Sequence, residues 1–230
     1  VSIMSSGNQI VLSSGEGTIS SMSGGSQNIS SGGVGTVSTM SAGQQIVRSG
    51  GTGMVTTMNG GKQQIISGTG TISTMSGGTQ AVLNSGSGMV DTMSGGTQAI
   101  SSGGSGTVST MSGGQQIVRS GGEGTVSSMN SGYQIITSGG SGTVSTMRDG
   151  TQEIYGGGSG TISTMNSGHQ GVLGGSGMVS TMNDGAQEIL SGGSGMVSTM
   201  SGGWQMITSG VGMVSIMSSG NQIVLSSGEG

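Results

Sequence analysis

One eighteen-residue unit accounts for nearly the whole sequence by repetition: Thr107-Val108-Ser109-Thr110-Met111-Ser112-Gly113-Gly114-Gln115-Gln116-Ile117-Val118-Arg119-Ser120-Gly121-Gly122-Glu123-Gly124. Copies begin at Thr18, Thr36, Met54, Thr71, Met89, Thr107, Thr125, Thr143, Thr161, Met178, Met196 and Met213, and residues 1–17 are one more copy without its first residue. The copies starting at Met54, Thr161 and Met196 are one residue short in their glycine-rich end. Self-similarity at a fixed period of this length marks a repeat architecture, in which one unit cannot bury its apolar face alone and stacking supplies the core.

Composition removes the competing classes. Of 230 residues 55 are glycine, proline, phenylalanine and cysteine are absent, and there is one tryptophan and two tyrosines. A conventional globular core needs more large apolar side chains than that. Charged residues make up only 5% of the chain, which argues against a solvated disordered segment. The glycine period is eighteen rather than three, so a collagen helix is excluded. The formal charge is −4, and Arg48, Lys62, Arg119 and Arg148 are scattered, so nucleic acid and acidic membrane surfaces are poor partners. No run is long and apolar enough to cross a membrane as a helix, and no signal peptide is evident. Residues 1–17 and 214–230 are identical, so residues 1–230 read as a single repeat array, a stretch of a longer one.

Each unit holds two similar halves, each with serine and glycines followed by a short segment centred on valine or isoleucine. Glycine pairs suit tight turns, and segments of five or six alternating residues suit strands. The expected fold is all-β: a single-stack parallel β-solenoid of about thirteen coils of eighteen residues, with two main strands per coil. Comparing copies shows which side chains point inward. The residue before the glutamine varies freely (Asn8, Lys62, Tyr133, His169, Trp204), as does the residue after it (Asn28, Gln64, Ala81, Glu153, Gly171), so both face out. By alternation the glutamine and the aliphatic residue two further on face in, and in the first strand Val108 and Thr110 face in while Thr107 and Ser109 face out.

The glutamine recurs in every unit as Gln9, Gln27, Gln45, Gln63, Gln80, Gln98, Gln116, Gln134, Gln152, Gln170, Gln187, Gln205 and Gln222. Amides stacked one coil apart can bond along the stacking axis, so the row reads as a structural ladder rather than a binding site. Methionine closes the first strand of every unit, from Met4 to Met217. Strict alternation would expose it as an apolar stripe, so a bend that turns the thioether into the core is expected instead.

Candidate chemistry is sparse. His169 is the only histidine, and the carboxylates that recur at equivalent places, Asp149 with Glu153 and Asp184 with Glu188, occupy turns or outward positions. The half-unit is similar to a calcium-binding nonapeptide, but threonine, methionine or glutamine stands where that motif needs aspartate. No enzyme, metal or cofactor is expected. What remains is the surface. Thr18, Ser20, Thr36, Ser38, Thr71, Ser73, Thr107, Ser109, Thr125, Ser127, Thr143, Ser145, Thr161 and Ser163 form two hydroxyl columns, interrupted by methionines, that could contact a partner or carry glycans. A second reading uses the outward Trp204, Tyr133, Tyr155 and His169 as ligand contacts, and a third is an ice-binding or spacer function.

The pattern Ser94-Gly95-Gly96-Thr97-Gln98-Ala99-Ile100-Ser101-Ser102-Gly103-Gly104 resembles the AIDA-type repeat of self-associating autotransporter passengers in Gram-negative bacteria, and the resemblance covers essentially the whole chain. It implies a right-handed β-helix displayed outside the outer membrane by a C-terminal β-barrel that this sequence does not include. It also implies adhesion, cell aggregation and biofilm formation through an identical passenger or a host surface, with glycosylated serines and threonines. Some related passengers are secreted effectors that act on host receptors.

Overall fold

The computed structural model describes residues 2–225 and 227–230. Its contacts divide the chain into two units, Val1–Gln116 and Ile117–Gly230. Each is a parallel β-solenoid, and the described residues hold 24 strands and no helix.

A coil consists of a long strand and a short one, as in Thr69–Met75 followed by Thr79–Leu83. Long strands pair only with long strands, so Glu16–Met22, Val34–Met40, Thr52–Met58, Thr69–Met75 and Ser87–Met93 form one parallel sheet of the first unit. Its short strands Ser26–Ile29, Gln44–Val47, Lys62–Ile66, Thr79–Leu83 and Thr97–Ile100 form the other. The second unit repeats the scheme, with Ser141–Met147, Ser159–Met165, Ser176–Met182 and Gly193–Met200 in one sheet. Thr151–Tyr155, His169–Leu173, Ala186–Leu190 and Trp204–Ile207 lie in the other. Two departures from two strands per coil are Ser105–Val118 and Glu123–Ile136, which run through the first turn unbroken, and the latter pairs in both sheets.

The turns hold the register. In Ser101-Ser102-Gly103-Gly104 the central residues have φ of 54° and 72°, and the Gly104 N–H donates to the Ser101 carbonyl over 3.0 Å. Positive φ at both central positions is the type I′ requirement, which glycine meets freely and serine at a cost. In the coil that begins at Met54 the turn is one residue shorter, with Ser67 alone at φ 58° before Gly68 and Thr69. Gln63 still pairs with Gln80, so the missing residue is absorbed in the turn and the sheets stay in register.

Six positions recur as buried in a coil: Gly104 in the turn, Gly106, Val108 and Met111 after it, and Gln116 and Val118 beyond the next turn. The second glycine is there because the two sheets approach closely. A Cβ on Gly106 would run into Cδ1 of Ile100 and come within 2.9 Å of Oε1 of Gln98. The expected bend before methionine is present. The ladder pairs Val90 with Val108 and Thr92 with Thr110 but passes over Asp91 and Ser109. That extra residue flips the inward–outward parity of the rest of the strand, as a bulge does. Met93 and Met111 are therefore fully buried, whereas Thr92 is exposed and Thr110 half-buried. The inward assignment of Thr110 is thus corrected: the strand buries its methionine in place of its last threonine.

Candidate interaction surfaces

The interior offers no site. Within the first unit Gln27 Nε2 donates to Gln9 Oε1 over 2.7 Å, and the same bond links Gln45 to Gln27, Gln63 to Gln45, Gln80 to Gln63, Gln98 to Gln80 and Gln116 to Gln98. Within the second unit it links Gln152 to Gln134, Gln170 to Gln152, Gln187 to Gln170, Gln205 to Gln187 and Gln222 to Gln205 over 2.6–2.7 Å. The second amide hydrogen reaches a carbonyl of the facing long strand, as from Gln45 to Gly35 over 3.1 Å. No buried side-chain polar atom lacks a partner among the described residues. An amide row so fully occupied has nothing left for a ligand. The buried methionines are closed to metals in solution for the same geometric reason, and their sulfurs lie beneath the next turn. A Cβ on Gly168 would sit 2.9 Å from the Met147 Sδ.

The outer face of the long strands carries the hydroxyl columns. In the first unit Thr18 is exposed and Thr36, Thr71 and Thr107 are half-buried. Thr18 pairs with Thr36, then Met54 and Met89 interrupt the column before Thr71 and Thr107 respectively. In the second unit Thr125, Thr143 and Thr161 stand in unbroken register before Met178. Of the serines, Ser38, Ser127, Ser145 and Ser163 are exposed, and Ser20, Ser73 and Ser109 half-buried. A third column, which alternation had placed inside, lies beside them: Thr39, Thr57, Thr74, Thr92 and Thr110 in the first unit. Ser128, Thr146, Thr164, Thr181 and Thr199 form its counterpart in the second. The sequence signal for it was the adjacent methionine, since two neighbours cannot both face inward along a regular strand.

Several charged groups are tied down locally. Arg48 donates to Asn28 Oδ1 over 3.3 Å, and Arg148 donates to Ser128 Oγ over 2.9 Å. Asp149 and Asp184 each accept the next residue's N–H over 2.7 Å, the geometry of a turn cap rather than of an acid–base pair. Glu153 accepts the Tyr155 hydroxyl over 2.8 Å, and this bond, followed by burial, pushes the Tyr155 phenol above its ordinary range. His169 Nε2 lies 3.4 Å from Glu188. No cluster of three or more histidine, aspartate or glutamate side chains with metal-binding geometry exists among the described residues. In the second unit Ser131, Gly132, Tyr133, Asp149, Gly150, Thr151, Gly168 and His169 line a shallow groove of about 280 Å³. Of the aromatic contacts named from the sequence, it brings Tyr133 and His169 together and leaves Tyr155 and Trp204 outside its lining.

No family model and no curated protein matches the sequence. Among solved structures, a fragment of TibA, hyper-glycosylated by TibC, is similar over all of this chain and 98% of its own length, with 27% identity and a TM-score of 0.72. The resemblance of the repeat to AIDA-type autotransporter passengers therefore extends from the sequence to the β-solenoid fold.

Proposed function

We propose that this protein is the passenger of a surface-displayed autotransporter adhesin and joins cells through the hydroxyl-rich outer face of its long strands. The likeness to the TibA fragment along the full chain is the observation that carries this reading. Its mechanism is repetitive. Coils that begin with threonine present hydroxyls at three outward positions in register, and those that begin with methionine present fewer, so two copies lying side by side can exchange many weak hydrogen bonds at once. One such bond in water contributes little, and the sum grows with the number of coils engaged. The same hydroxyls are the natural acceptors for glycans, as the hyper-glycosylated state of the neighbour suggests. The function is non-enzymatic, extracellular and metal-independent.

The test is settling of bacteria that display this chain on a neutral anchor, compared with anchor alone and with chains shortened by pairs of coils. Settling that rises with coil number supports homotypic adhesion. Settling equal to the anchor control at every length would overturn it.

A further inference from the structure

The short-strand face of the second unit carries an alternation with twice the coil period. The residue before each buried glutamine runs Tyr133, Thr151, His169, Ala186, Trp204, and these five stand in direct register across neighbouring strands. At this position every second coil therefore holds a ring, while Tyr155 of an intervening coil lies four residues further along its strand, with its hydroxyl on Glu153. Tyr133 is 47% and Trp204 37% exposed, and the His169 side chain is 35% exposed. The intervening coils hold the carboxylates. Two positions along, Glu153 and Glu188 flank Gly171 in register, and Asp149 and Asp184 occupy the preceding turns of those same acidic coils.

We propose that this face binds an uncharged, extended β-1,4-linked polysaccharide laid across the strands. Rings on alternate coils are about 9.6 Å apart, two strand spacings. In a β-1,4-linked chain each sugar is flipped relative to the next, so the same apolar face recurs once per disaccharide, at close to that spacing. Sugars that stack on Tyr133, His169 and Trp204 would alternate with sugars whose hydroxyl edges meet Glu153 and Glu188, which accept hydrogen bonds strongly when ionised. Two further features fit an occupant of this kind. Gly171, between the two glutamates, carries no side chain and is buried beneath the His169 ring, whose Cε1 lies 3.2 Å from where a Cβ would stand, so the ring lies over the strand. The groove beside Tyr133 and His169 is floored by Gly132, Gly150 and Gly168 at φ of 95–98°, so a ligand can approach the backbone.

Charge and period exclude the other polymers. Four carboxylates on this face repel uronate, sulfate and nucleic acid. An extended peptide repeats side chains on one face every two residues, roughly 6.6 Å, which falls out of phase with the rings by the second contact.

The experiment uses the full chain in affinity gels containing hydroxyethyl cellulose or glycol chitin, and in titrations with cello- and chito-oligosaccharides of two to eight sugars. Retardation by at least one β-1,4 polymer is expected, with affinity rising in steps of two sugars. Each ring removed, as in Tyr133→Ala or Trp204→Ala, should weaken binding about fivefold. The double change His169→Ala with Thr151→Trp keeps three rings but breaks their period, and is expected to bind no better than His169→Ala alone. Circular dichroism confirms that the variants keep their strands. No retardation by either polymer overturns the proposal. So does retention by polylysine or alginate in preference to both, or full affinity in the out-of-phase variant.

Discussion

The glutamine ladder makes a quantitative prediction because its bonds form a chain. Gln170 Nε2 donates to Gln152 Oε1, Gln187 Nε2 to Gln170 Oε1 and Gln205 Nε2 to Gln187 Oε1, each over 2.6 Å and with every partner fully buried. Replacing Gln170 by methionine keeps the volume but leaves the Gln152 oxygen and one Gln187 N–H without partners. At 1–3 kcal/mol for each orphaned buried group, the cost is about 4 kcal/mol. Gln187→Met alone orphans the Gln170 oxygen and one Gln205 N–H, at the same cost. In the double variant only the Gln152 oxygen and the Gln205 N–H are orphaned, so it should also cost about 4 kcal/mol where independent sites would cost about 8. Urea unfolding followed by Trp204 fluorescence reads this unit, because Trp204 is the only tryptophan in the chain. Additive costs would refute the linear donor chain. A single substitution costing under about 1 kcal/mol would show that the orphaned amides find other partners.

Three further outcomes are expected. Gly106→Ala should cost about 2–3 kcal/mol, because the new methyl meets the Ile100 and Gln98 side chains across the core, whereas Gly103→Ala makes only an ordinary contact with Ser85 Oγ at 3.8 Å and pays about 1 kcal/mol for its φ of 72°; thermal melts of the two variants compare them directly. Met93→Ala should destabilise by about 3 kcal/mol and Thr92→Ala by under about 0.5 kcal/mol, and the reverse order in urea unfolding would contradict the bend that sets their parity. The Tyr155 phenol, held above its ordinary range by its bond to Glu153, donates only while protonated. Its folded value exceeds its unfolded one, so its contribution is complete below about pH 10 and is lost as pH rises through the folded value. Spectrophotometric titration of Glu153→Gln should show the phenolate forming at lower pH, and Tyr155→Phe should lose less stability than the parent over that alkaline range.

The repeat by itself determined the architecture. A unit with two strand-length segments between glycine-rich turns can bury its aliphatics only by stacking on its own copies, and free variation at positions such as Tyr133 and Glu153 already marks those side chains as outward. The glutamine row was legible for the same reason, since an amide at one fixed inward position must find its partner one coil away. Three matters were decided only by the tertiary structure. The methionine was expected to bend into the core, but strict alternation also put Thr110 inside, and only the residue passed over at Ser109 shows that Met111 is buried in its place and that a third hydroxyl column faces solvent. The burial of Gly106 depends on how closely two sheets approach, a distance that no local pattern encodes. The alternation of rings and carboxylates was written in the sequence as scattered single residues. Parallel register across residues seventeen or eighteen positions apart turned them into one face, because neighbours in a solenoid are set by stacking rather than by order along the chain.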